Sequence, residues 1–307
     1  MKILIIDSHK GGKKMSDNLH LLNASYIAEA LQADLIWSYE GVNDDIKSDY
    51  DVIIFNHASH YSFVDYAWLE KSPNARLFHI TNEYNLGEPR ALWMAVKAGR
   101  KYDVIANHPH EPSKIVMKYV NNWNIVNLNA LIYEEKTFDE VGRSGVVYHG
   151  SFRKDRIPYF TKYLKDGVTV STHKKNIEKF TKEGVTASFV DRIKWSGDGM
   201  RKYSSSLYIE DQTTHKHYNH LANRFYESIS WGVVPIFSEE SSGTILESGY
   251  NVPKPLIVSS HESLIKINQS IEQSKEFRDV VLKRFKTKAA EERISTLDKI
   301  KTLINGE

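Results

Sequence analysis

Two periodicities alternate along the chain. Short apolar runs of strand length are separated by stretches in which apolar side chains recur every three or four positions. In the first half the strand-like runs are KILIID (2–7), DLIWS (34–38), DVIIFNHA (51–58), ARLFHIT (75–81), YDVIAN (102–107) and NIVNLN (124–129). Helical spacing fits NLHLLNASYIAEALQ (18–32) and PRALWMAVKAG (89–99), where Pro89 suits a first helical turn and Gly99 a C-terminal cap. The charged stretch YEEKTFDEVGRSG (133–145) interrupts the pattern, which then restarts. Strands are expected at VVYHGS (146–151), VTVST (168–172), SFV (188–190), SLYIED (206–211), VVPIFS (233–238) and LIVSS (256–260). The chain closes on helical stretches at 262–273 and about 275–303.

Alternation of this kind builds parallel sheets covered by helices. The simplest architecture is α/β: two successive doubly wound, Rossmann-like domains facing a central cleft, joined by a linker near 135–145. The expected boundaries are 1–140 and 141–285, with a helix over 286–307 that can pack back on the first domain. Ligands in such folds bind at the carboxyl ends of the strands.

Composition narrows the class. A length of 307 residues exceeds one ordinary core and favours two. The chain has no cysteine, which excludes disulfides and thiolate metal sites and suits a reducing cytoplasm. The opening run MKILIID is too short for a signal peptide or a membrane span, and no later run reaches membrane length. A soluble cytoplasmic protein is expected. Net charge is only +2, but residues 1–148 carry −4 and residues 149–307 carry +6. The second half is therefore the better anion binder, although the C-terminal lysines read as a solvated surface.

Two stretches carry the chemistry. In HGSFRKDR (149–156) a strand ends on Gly150 and a helix is expected to start near Asp155. Glycine lets backbone approach a ligand, and N–H groups at a helix start donate to anions. Arg153 and Arg156 are three apart and can share one side of a turn, where guanidinium forks match phosphate oxygens. A plain surface turn with solvated arginines is the competing reading. In NRFYESISWGVVPI (223–236), Arg224 and Glu227 share a helical face before Gly232. There a carboxylate can accept both hydroxyls of a ribose. An intrahelical Arg–Glu pair, worth a few tenths of a kcal/mol, is the alternative.

Taken together, Glu227, Gly232, Pro235 and Ile236 form Glu-x4-Gly-x2-Pro-Ile, which resembles the nucleotide-sugar signature of GT-B glycosyltransferases. The chain is similar in particular to the DNA β-glucosyltransferase family of T-even bacteriophages. That family has a Gly-Ser-Phe-Arg turn after the first strand of its second domain and an Arg-x2-Glu helix later. Gly150-Ser151-Phe152-Arg153 and Arg224-Phe225-Tyr226-Glu227 look like these. The resemblance implies a GT-B fold with a UDP-sugar in the second domain. Gly150, Ser151 and Phe152 would line the donor, Arg153 and Arg156 would hold its diphosphate with help from Arg224, and Glu227 would hold the ribose. Tyr218 and Asn219 are weaker donor contacts. In the family the second turn arginine follows the first by four residues, and here by three.

The resemblance also implies an inverting transferase with a carboxylate base, which takes the acceptor proton as the hydroxyl attacks C1. The family places an aspartate after the fourth strand of its first domain. Glu83 in HITNEYNLGEP (79–89) falls there, with Glu88 as a backup. The family's arginine two residues on is Asn85 here. A plain helix-start acid is the alternative for Glu83. The implied acceptor is 5-hydroxymethylcytosine in double-stranded phage DNA, flipped out of the stack. Glucose is the default sugar and arabinose the alternative. Lys10, Lys13 and Lys14 in SHKGGKK, together with Arg90, Lys97, Arg100 and Lys101, are candidate phosphate contacts, and Tyr61, Phe63 and Tyr84 candidate stacking or wedging side chains. A monomer in the host cytoplasm with no membrane partner is expected. No cofactor is required beyond the UDP-sugar donor substrate. None of the histidine clusters has zinc-site spacing, and Asp49-Tyr50-Asp51 reads as a turn. Magnesium can still stimulate departure of the diphosphate. Two other classes compete: a GT-B enzyme of polysaccharide, lipopolysaccharide or a small molecule, and a non-catalytic two-lobed nucleotide-binding protein.

Overall fold

A computed structural model describes residues 1–7, 19–37, 49–56, 71–81, 99–107, 114–137, 142–194, 198–210 and 220–306. The chain separates into two compact units, Met1–Ile132 with Glu292–Glu307, and Tyr133–Glu291. Each holds a six-stranded sheet, and the strand pairs of both are parallel.

The first unit contains β1 (Ile3–Asp7), α1 (Leu19–Leu31), β2 (Asp34–Trp37), β3 (Val52–Asn56), β4 (Arg76–Thr81), β5 (Tyr102–Ala106), α2 (Lys114–Met117) and β6 (Val120–Ile125). Its sheet order is β2-β1-β3-β4-β5-β6. Every residue of β1 and β3 is buried, which is why these strands read as unbroken apolar runs rather than as alternation. Leu4, Ile6, Ile53, Phe55, Leu77 and Val104 pack in one cluster, and Ile3, Ile5, Val52, Ile54, Phe78 and Ile105 in another. The period of two sends these sets to opposite faces. Asp7 and Asn56 end adjacent strands, and Asn56 Nδ2 donates to Asp7 Oδ2 at 2.8 Å with both side chains buried. Asp49 sits at φ 78°, in keeping with a turn, and Asp51 Oδ2 accepts from Lys2 N at 2.6 Å.

The strand expected at 124–129 lies instead at Val120–Ile125, and Leu128–Ile132 form a buried 3-10 turn. The run Asn121, Asn122, Trp123, Asn124 hides the strand because β6 is an edge, where polar side chains are tolerated. Asn122 donates to Asp103 Oδ1 at 2.8 Å and Asn124 to the Val104 carbonyl at 3.1 Å. The following apolar residues fold round the Asn107 side chain. Its Oδ1 accepts from Leu128 N at 2.8 Å and its Nδ2 donates to Asn129 Oδ1 at 2.9 Å.

The second unit contains β7 (Val146–His149), α3 (Ile157–Tyr163), β8 (Val168–Thr172), α4 (Lys174–Lys182), β9 (Ser188–Asp191), β10 (Ser205–Tyr208), α5 (Asn223–Ser230), β11 (Val234–Ser238), α6 (Ser242–Ser248), β12 (Ile257–Val258) and α7 (His261–Gln273). Its order is β12-β11-β10-β7-β8-β9. The chain builds outward from β7 in one direction, then returns to its other side with β10. The gap between the carboxyl ends of β7 and β10 is thus the topological switch point. Aromatic rings fill the core, with Phe160 and Phe180 4.9 Å apart and Phe225 and Tyr250 4.7 Å apart between centroids. Helix α7 starts in a capping box: Ser260 Oγ accepts from Ser263 N at 3.2 Å, and Ser263 Oγ from Ser260 N at 3.1 Å.

The closing helix α8 (Lys275–Asn305) begins in the second unit, and its last turns belong to the first. Ile300 and Ile304 pack with Ile5, Ile54 and Phe78. Arg76 donates to the carbonyls of Ile304 at 2.8 Å and Leu303 at 3.2 Å, satisfying helix-end acceptors that have no partner inside the helix. Among the described residues no helix is long and apolar enough to cross a membrane.

Candidate functional site

The switch point of the second unit gathers charge. Strand β10 ends at Tyr208, three residues short of the expected 211, and releases Ile209 and Glu210. The Glu210 side chain is only 3% exposed. Arg156 Nη2 stands 2.5 Å from its Oε2, and Arg224 Nε stands 3.0 Å from its Oε1. The Ile209 carbonyl accepts from Arg156 Nη1 at 3.4 Å and from Arg224 Nη1 at 3.2 Å. Arg224 Nη1 also donates to the Tyr148 hydroxyl at 3.3 Å, and its guanidinium lies 5.5 Å from the centre of that ring. Burial works against the charge on Arg224, but the Glu210 carboxylate together with Tyr148 and Tyr208 outweighs it, and the guanidinium is held above its ordinary value.

The local folding explains these positions. Arg153 lies in extended backbone at φ −130° and ψ 128°, ahead of a 3-10 turn over Lys154–Arg156. The turn therefore separates the two arginines that were expected to share one side: Arg153 is exposed, and Arg156 closes the turn with its side chain buried. Ser151 is exposed, while Phe152 is half-buried against Phe160 and Phe180. Gly150 sits tightly against the protein's own Tyr148. A Cβ there would lie 3.0 Å from the Tyr148 hydroxyl oxygen and 3.2 Å from its ring, so the close approach is made by Tyr148.

Helix α5 carries Arg224 and Glu227 on one face, yet they do not pair with each other. Each takes a partner from a strand end: Arg224 from Glu210, and Glu227 from His149, whose Nε2 lies 2.9 Å from Glu227 Oε2 at ion-pair distance without hydrogen-bond alignment. The helix is short because Gly232 turns left-handed at φ 67°. Arg143 then donates to the carbonyls of Gly232 at 2.7 Å and Trp231 at 3.0 Å and closes its end. The other end is set by Tyr208, whose hydroxyl accepts from Ala222 N at 2.8 Å.

Glu210, Tyr148 and His149 escaped the sequence reading. The one signal for Glu210 was an acid ending an otherwise apolar strand. Glu83, Glu88, Tyr218, Asn219, Lys10, Lys13, Lys14, Arg90, Lys97, Tyr61, Phe63 and Tyr84 lie outside the described residues. Arg100 is not a free phosphate contact: its guanidinium donates to the carbonyls of Ser72 and Ala75 and is partly buried. Among the described residues no group of three or more acidic or histidine side chains is placed to hold a metal.

No family model and no curated protein matches this sequence. Solved structures do match over its whole length. T4 phage BGT in complex with its UDP-glucose substrate superimposes with a TM-score of 0.70 at 15% identity, covering 99% of each chain. An alpha-glucosyltransferase in complex with UDP and a 13-mer DNA gives 0.63 at 10% identity over 99% of this chain and 100% of that one. Anabaena HepE in complex with UDP and glucose gives 0.55 at 11% identity over 100% of both. At such identities the likeness establishes the fold, which is the two-domain α/β arrangement of the GT-B glycosyltransferases.

Proposed function

We propose that the chain is a UDP-sugar-dependent, inverting glycosyltransferase that modifies 5-hydroxymethylcytosine in double-stranded DNA. The observation that carries this reading is the convergence of Arg156 and Arg224 on a single carboxylate at the switch point, with Glu227 one helical turn beyond. Two guanidinia and one carboxylate leave a net positive charge with little solvent to screen it. A nucleoside diphosphate fits that charge, and the Glu227 carboxylate suits its ribose hydroxyls. Arg153, exposed beside the turn, can add a third cation.

In this reading the second unit holds the donor and the first unit the acceptor. Glu83 takes the proton of the acceptor hydroxyl as its oxygen bonds to C1 of the sugar. UDP departs with the C1–O electron pair, and the arginines stabilise the charge that develops on its diphosphate. One T4 phage BGT structure holds UDP with Mn2+, and a divalent cation is expected to stimulate here without being required. A matching β-glucosyltransferase structure, with a TM-score of 0.67, is described as a DNA-modifying enzyme, and the alpha-glucosyltransferase was solved with DNA, which favours a DNA acceptor.

The deciding experiment incubates the protein with 5-hydroxymethylcytosine DNA and a panel of UDP-sugars, digests to nucleosides and reads masses. A hexose or pentose on hydroxymethyldeoxycytidine is expected. UDP binding with no DNA product from any donor would move the assignment to a polysaccharide or small-molecule acceptor. Within the donor site, Arg224→Met is expected to weaken UDP about a hundredfold by calorimetry, because it removes a charge-assisted phosphate contact. The unit should stay folded, since Arg156 and Glu210 still balance. Unchanged UDP affinity would remove Arg224 from the donor site.

A further inference from the structure

We propose that Glu210 is a positioning residue: it holds Arg156 and Arg224 as one fork for the diphosphate of the donor. This rests on reading the site as a nucleotide-sugar site. The two arginines come from a 3-10 turn and from α5, and no secondary structure aligns their guanidinia with each other. Among the described residues, the consecutive Ile209 carbonyl and Glu210 carboxylate are the groups that touch both. Two like charges brought together away from water repel, and each long side chain would gain freedom by leaving. A carboxylate between them reverses that repulsion and fixes both rotamers before a ligand arrives.

Exposure follows the same logic. Side-chain exposure rises from 3% at Glu210 to 9% at Arg156 and 17% at Arg224. The acid is the innermost member of the cluster, so a ligand entering from solvent meets guanidinium before carboxylate. Arg156 Nε is buried and has no hydrogen-bond partner among the described residues. A buried guanidinium donor left unpaired among the described residues is what an acceptor brought by a ligand would satisfy.

The opposite role is also physically definite. If Glu210 merely competed with phosphate for the arginines, removing its charge would strengthen UDP binding. Positioning predicts the reverse, so Glu210→Gln separates the two by sign. UDP and uridine affinities are measured side by side by calorimetry, with melting followed in parallel. Expected for Glu210→Gln is a loss of about thirtyfold in UDP affinity, with uridine affinity unchanged because uridine carries no phosphate. Glu210→Asp keeps the charge, and so the fold, but withdraws the carboxylate by one methylene. It should lose UDP affinity by a smaller factor, again with uridine unchanged, and it decides the question if Glu210→Gln does not fold. Tighter or unaltered UDP binding in the folded variants overturns the inference, as does an equal loss of UDP and uridine. A wild-type protein that binds neither compound would instead sink the nucleotide-sugar reading itself.

Discussion

Glu83→Gln is expected to lower turnover on hydroxymethylated DNA about a thousandfold while leaving UDP affinity unchanged. Glutamine preserves the shape of the side chain and removes its ability to take a proton. The acceptor hydroxyl must then attack C1 while still protonated, and only the chemical step suffers. The proposed donor groups lie elsewhere in sequence, at residues 150–156 and 224–227, within the second unit, so the nucleotide should bind as before. Single-turnover measurement on preformed complex with UDP-sugar reads the step directly. Glu88→Gln is the control and should keep near-normal turnover. If Glu83→Gln stays active and Glu88→Gln does not, the base is Glu88. If both stay active, the one-carboxylate mechanism fails.

The second large effect concerns the stability of the first unit below neutral pH. His79 lies in β4 between Phe55 of β3 and Val104 of β5, is 4% exposed, and has no hydrogen-bond partner for either ring nitrogen among the described residues. Among the described residues, Tyr102 lies edge-on to it at 6.0 Å between ring centres. Burial alone pushes the imidazole down from 6.5 to about 4. The folded value thus lies below the unfolded one. Stability from this group is complete above pH 6.5, falls as the unfolded chain binds its proton, and levels off below pH 4. The loss across that window is about 3 kcal/mol. His79→Leu removes the proton site without losing a hydrogen bond, so denaturant titrations of the variant should show a flatter profile between pH 6.5 and 4. They should also show higher stability at pH 4.5 than wild type. A parallel fall in both proteins would assign the acid sensitivity to other groups.

Much of this architecture is legible in the one-dimensional pattern because parallel strands buried on both faces must be apolar throughout. Runs such as Ile3–Ile6 and Val52–Phe55 have few other uses in a chain of this composition. Strand β6 is the exception. An edge strand has a solvated flank, so Asn121, Asn122 and Asn124 are acceptable there, and the apolar residues beyond it were read as the strand in its place. Arg153 and Arg156 show a similar limit. Their spacing suggested one helical face, but a 3-10 turn preceded by extended backbone sends one to solvent and the other inward.

What the sequence pointed to alone was the class of fold, the restart of the pattern near residue 146, and the residues proposed to meet a nucleotide-sugar: Arg153, Arg156, Arg224 and Glu227. The fold class and the restart follow from local spacing, which propensity and periodicity read directly, while the nucleotide-sugar roles are what the resemblance to the phage glucosyltransferase family implies. Only the tertiary structure decided how they are used. Strand order is a long-range property: β10 pairs beside β7 although about sixty residues separate them in the chain. That pairing sets Glu210 against Arg156 and brings Tyr148 under Arg224. Helix α5, packed against the same strand ends, turns Arg224 and Glu227 away from each other and toward the sheet. A charge pattern along a chain cannot specify which acid meets which base, because that choice belongs to the burial of the sheet and to the switch point it creates.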